Sequence, residues 1–128
     1  MSGKSLAGVA IIANRPDERR AYFRWPFKGT AFPCRMGKKE FEIRLKDLSR
    51  GGACGMVDEP FAVGDYFFIQ LADHQVVEAE VRWVRRVMIG VKFNRILTAR
   101  FVTRLHEKAA EEAAEREREE LLTLVKMR

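Results

Sequence analysis

The segment Asn14-Arg-Pro-Asp-Glu-Arg-Arg-Ala-Tyr-Phe-Arg-Trp-Pro26 sets Arg19 beside Arg20 and places Arg24 after an interval of three intervening residues. A guanidinium is a planar fork of N–H donors that grips phosphate through two parallel bonds, and its flat face stacks on a purine. One such segment can therefore read charge and base together. Arg15 with Arg19 is an alternative pairing at the same interval. Arg20 with Arg24 is preferred because this pair follows the double arginine and directly precedes the first strand-like run. The alternative is a solvated, partly salt-bridged surface, since Asp17 and Glu18 stand alongside.

A second candidate is Asp47-Leu-Ser-Arg-Gly-Gly52, directly after an alternating run. Asp47 and Ser49 suit turn capping, and Gly51 or Gly52 permits close backbone approach. The structural reading is a turn alone. In the functional reading Asp47 accepts guanine N–H groups, Ser49 adds a hydroxyl and Gly52 leaves room for a flat base or phosphate. Arg50, Arg85 and Arg86 are further cations that could line a basic mouth or simply face solvent.

The remaining polar residues do not assemble a catalyst. His74 falls in a hairpin connection and His106 near a helix start, neither beside a nucleophile motif, so surface or capping roles are expected. Asp17 with Glu18, and Asp58 with Glu59, are adjacent carboxylates rather than an acid and base facing each other across a substrate. Cys34 and Cys54 stand alone, which disfavours structural zinc and a disulfide scaffold and suits small buried residues. No cofactor or metal is implied, and an enzyme is disfavoured.

The elements that must hold these residues are short strands. Glu40–Lys46 alternates, with Phe41, Ile43 and Leu45 on one face. Tyr66–Leu71 and Val76–Val84 read as antiparallel partners joined through Ala72–Gln75, and Ile89, Val91 and Phe93 alternate in a last strand. Several short strands close together favour a small antiparallel sheet that curls into a barrel, because a flat sheet would leave open edges. Neither a Walker-type loop nor a Gly-x-Gly-x-x-Gly fingerprint occurs, and there is no strand–helix alternation of a doubly wound fold.

The 128 residues carry a formal charge of +6, with 24 basic and 18 acidic side chains. Residues 1–106 contribute +8 and residues 107–128 contribute −2, so a basic body favouring an anionic partner is followed by an acidic tail. That tail lacks Gly and Pro and is rich in strong helix formers, with an acidic start and Lys126 and Arg128 at its end to match the helix dipole. Leu121, Leu122, Leu124 and Val125 crowd its last turns and need cover, from the same subunit, a second copy or another protein. The apolar runs fall far short of the ~20 residues that span a bilayer and no signal-peptide pattern opens the chain, so a soluble, cytoplasmic protein is expected.

Together the two motifs resemble the PilZ domain family, which pairs R-x-x-x-R with D/N-x-S-x-x-G on the following sheet. Arg20 and Arg24 match the first element, with Arg19 as the preceding basic residue, and Asp47, Ser49 and Gly52 match the second. Val81-Arg-Trp-Val and Ile89-Gly-Val-Lys-Phe93 look like the closing strands of such a domain, so the resemblance covers roughly residues 15–97.

The resemblance implies a mainly β fold, a six-stranded antiparallel barrel followed here by a long C-terminal α-helix. The corresponding division is an N-terminal extension over 1–14, the barrel domain over 15–103 and the helix over 104–128. It implies a ligand, cyclic di-GMP, bound by Arg19, Arg20, Arg24, Asp47, Ser49 and Gly52 and relayed to a downstream protein partner in motility, biofilm or related contexts. Two alternatives are carried beside it: a nucleotide-independent interaction module and, ranked lower, a small basic nucleic-acid-binding barrel.

Overall fold

The computed structural model describes residues 22–127. Arg19, Arg20 and the expected extension over 1–14 lie outside them. Six strands are formed: β1 (Trp25–Met36), β2 (Lys39–Leu48), β3 (Gly52–Met56), β4 (Tyr66–Ala72), β5 (Gln75–Arg85) and β6 (Met88–Phe93). They close into an antiparallel barrel in the order β1-β2-β3-β6-β5-β4, with β4 returning to β1 through Cys34 opposite Ile69. Helix α1 (Ala99–Lys126) follows. The expected barrel and long helix are both present.

Alternation drives the closure. Ile43 and Leu45 of β2, Phe67, Ile69 and Leu71 of β4, Val77, Ala79 and Val81 of β5, and Ile89, Val91 and Phe93 of β6 are all buried in one core. Removing this apolar surface from water is the main stabilising term. Phe41, Phe61 and Phe67 meet pairwise at 5.2–5.3 Å between ring centroids, which packs the β3–β4 connection against the core. His74 has φ 63° in the β4–β5 connection, within the predicted hairpin link.

Four register shifts interrupt the strand pairing, and two of them re-aim side chains near the motifs. One falls between Leu45 and Asp47 where β2 pairs with β3, the other between Val81 and Trp83 where β5 pairs with β6. A bulge adds a residue to one strand and reverses the faces of those that follow. Hence Leu48, an odd step from Leu45, is also buried, while Asp47 and Trp83 leave the inward series of Ile43–Leu45 and Val77–Val81 for the outer surface.

The helix begins earlier than its composition suggests. Thr98 is the N-cap, its Oγ1 accepting the Phe101 N–H at 3.1 Å, and the first turn contains no acid. The expected match between an acidic start and the dipole therefore fails: Glu107 sits two turns inside, and a hydroxyl cap satisfies the N-terminus instead. Lys126 does occupy the last turn. Val102 and Leu105 bury against the core and Ala113 is half-buried, after which every described residue of α1 is exposed.

Candidate functional site

The bulge at Asp47 decides the site. Asp47 faces Pro26 on β1 and Cys54 on β3, Cys54 faces Gly90 on β6, and Gly90 faces Trp83 on β5. Four strands thus bring Asp47, Cys54, Gly90 and Trp83 into one lateral row on the outside of the barrel. Its floor is low because the row crosses a cysteine and a glycine. A Cβ on Gly90 would come within 2.7 Å of three atoms of the Trp83 indole, so the ring lies across the bare backbone. Lys46 and Lys92 are exposed on β2 and β6, and Arg82 and Arg85 are exposed on β5. The Arg85 guanidinium stands 5.7 Å from the Trp83 ring centroid.

The two sequence motifs meet at the β1–β2 edge of this trough. Arg24 Nη1 donates to Asp47 Oδ1 at 2.9 Å, with both side chains partly exposed. Exposed pairs of this kind contribute only about 0–1 kcal/mol, so the contact is important for placing a cation beside the motif carboxylate rather than for stability. Trp25 anchors this segment, half-buried against the core edge and 4.8 Å from the ring of His106. His106 also meets Phe27 at 5.7 Å. It is therefore a packing link between α1 and β1, not the surface or capping residue expected from its position.

Ser49 and Gly52 sit beneath the site. Ser49 is 1% exposed, and its Oγ accepts the N–H groups of Gly51 and Gly52 at 3.2 and 3.1 Å. The Ser49 N–H donates to Gly52 O at 2.8 Å, so the turn is closed from both directions. Gly52 is required by the next strand: a Cβ there would lie 2.3 Å from Val91 O, inside any tolerable contact. In the described structure these two residues shape the turn that presents Asp47.

Tyr22, Arg50 and Trp83 join the site without being prominent in the motifs. Arg50 Nε donates to Leu97 O at 2.8 Å, and the Leu97 N–H returns a bond to Arg50 O at 2.8 Å. The Arg50 guanidinium lies 5.1 Å from the Tyr22 ring centroid, and that ring would be 3.4 Å from a Cβ on Gly51. The sequence signals were an arginine inside the motif and a tryptophan opposite a glycine, but only the register unites them. Cys54 is buried in the row's floor, and burial followed by the Asp47 charge raises its thiol pKa, as for an inert structural residue. A separate groove of about 780 Å³, bordered by Pro33, Phe41, Phe68 and Val76, holds no motif residue.

Comparison with known proteins gives the family of the fold. The family model described as PilZ domain matches residues 18–107. A structure described as the PilZ domain with c-di-GMP of YcgR from Escherichia coli is similar with a TM-score of 0.54 at 18% identity, covering 77% of this chain and 96% of that one. The Bacillus subtilis inhibitor of motility MotI/DgrA gives 0.46 at 18% identity over 76% of this chain and 52% of that one. YcgR of E. coli in complex with c-di-GMP gives 0.41 at 22% identity over 86% and 51%. The chain thus spans about half of those two longer proteins. No curated protein matches significantly. With the family model covering the barrel, both motifs and the root of the helix, the chain belongs to the PilZ domain family.

Proposed function

We propose that this chain is a cyclic di-GMP receptor or adaptor whose ligand lies on the outer trough, held by the arginine segment on one side and the Asp47–Gly52 turn on the other. The contact of Arg24 with Asp47, 2.9 Å across two motifs 23 residues apart, is the observation that carries the reading. It sets a phosphate-gripping cation and a guanine-accepting carboxylate at the same edge. Arg19, Arg20 and Arg24 neutralise the two phosphates and stack on the bases, Asp47 accepts guanine N–H groups, and Ser49 and Gly52 fix the shape of the turn. PilZ domains are non-catalytic modules, so the chain works by binding. Binding ties both motifs to one ligand and alters the surface offered to a downstream protein.

Calorimetry with purified protein tests this directly. Saturable binding of cyclic di-GMP is expected, with loss of binding in the Arg20→Ala/Arg24→Ala double variant and an unchanged melting temperature. Absence of heat at high micromolar ligand rejects the proposal. A second reading, a nucleotide-independent interaction module, is favoured by one observation: Leu121, Leu122, Leu124 and Val125 are 58–67% exposed on α1. It predicts a partner whose affinity is indifferent to cyclic di-GMP. No described helix is long and apolar enough to cross a membrane.

A further inference from the structure

We propose that Arg50 is a specificity residue of this site, reading the O6/N7 edge of a guanine. The inference rests on the cyclic di-GMP reading above. Arg50 occupies a variable position of the D-x-S-x-x-G turn, yet it is held as firmly as the motif residues around it. Its Nε–H is engaged by Leu97 O, its backbone carbonyl is bonded to the Leu97 N–H, and the Tyr22 ring lies under its guanidinium. Among the described residues it makes no salt bridge. One donor edge is thereby fixed in place, while the four N–H bonds on the two Nη atoms have no acceptor among the described residues and suit a bidentate contact.

Guanine suits that edge better than phosphate does. Two phosphates already have the arginine segment, and three residues from Arg50 the same turn presents Asp47, a carboxylate that accepts N–H groups and repels phosphate. A fixed fork of donors matches the paired O6 and N7 acceptors of guanine and opposes the N6 amino group of adenine. Arg50 therefore separates guanine from adenine cyclic dinucleotides, while Arg24 treats both alike.

The experiment is a paired titration of wild-type protein, Arg50→Ala, Arg50→Lys and Arg24→Ala with cyclic di-GMP and cyclic di-AMP. The quantity read is the ratio of the two dissociation constants, which is insensitive to any loss of folded protein. Arg50→Ala is expected to lower the preference for the guanine ligand by roughly 10-fold or more, a bidentate base contact contributing about 1–3 kcal/mol of discrimination. Arg50→Lys, which keeps the charge and loses the fork, should fail to restore it. Arg24→Ala should weaken both ligands and leave the ratio unchanged. An unaltered ratio in Arg50→Ala, or equal weakening of both ligands as for a phosphate contact, overturns the inference alone. Failure of wild-type protein to bind cyclic di-GMP overturns the underlying reading and this inference with it.

Discussion

Ser49 is a polar side chain buried almost completely, and its position is explained by what it satisfies. Its hydroxyl accepts two backbone N–H groups that have no route to water. Ser49→Ala leaves both without that acceptor and should cost about 1–3 kcal/mol, measured by urea unfolding; a change below about 0.5 kcal/mol would show that the turn does not depend on the hydroxyl. Cys34 offers a pH test of the interior. Burial pushes its thiol pKa up from the ordinary 9.0 to about 12. The folded state then keeps a proton that the unfolded chain releases, so the contribution is intact below pH 9 and is lost as pH rises from about 9 towards 12. Cys34→Ala should show a shallower alkaline decline in stability than wild type over that window, and parallel declines would contradict the burial of the thiol. Both residues were visible in the sequence as a turn former and a small buried cysteine, but the bond count of Ser49 needed the folded turn.

Two glycines separate the roles of neighbouring strands. Gly52 meets backbone, with Val91 O at 2.3 Å from an added Cβ, whereas the three atoms nearest an added Cβ at Gly90 all belong to the Trp83 side chain. Backbone in a closed barrel yields little, so Gly52→Ala should destabilise the fold by about 1–3 kcal/mol or more. Gly90→Ala should instead lift the indole off β6, shifting tryptophan emission and weakening cyclic di-GMP with a smaller stability loss. Equal unfolding free energies for the two variants would refute this distinction. Gly52 was legible as a motif residue and Gly90 was not singled out, because its partner Trp83 is fixed by pairing between β5 and β6. The helix shows the same limit: its existence followed from composition, while its start at Ala99 follows from the Thr98 cap and the burial of Val102 and Leu105.

At the scale of the whole molecule, α1 runs for 28 residues, about 42 Å, and its apolar end has no described neighbour from the barrel. An isolated helical segment of a few turns is marginal in water, so cover by a second copy is the expected outcome. Sedimentation of wild-type protein should show concentration-dependent assembly, with Leu121→Glu/Leu124→Glu monomeric and its barrel equally stable; a wild type monomeric at high micromolar concentration would leave only a different protein as cover. The sequence by itself determined the strand faces around Ile43 and Val91, the pairing of the Tyr66–Leu71 and Val76–Val84 strands, the basic body with its acidic tail, and the two motifs. These depend on local period and on residue type, which are written along the chain. The tertiary structure alone decided that Asp47 and Trp83 turn outward into one row, that Arg24 meets Asp47, and that Arg50 is pinned between Tyr22 and Leu97. A bulge belongs to a pair of strands rather than to one, and a contact across 47 residues leaves no mark in the alternation of either segment.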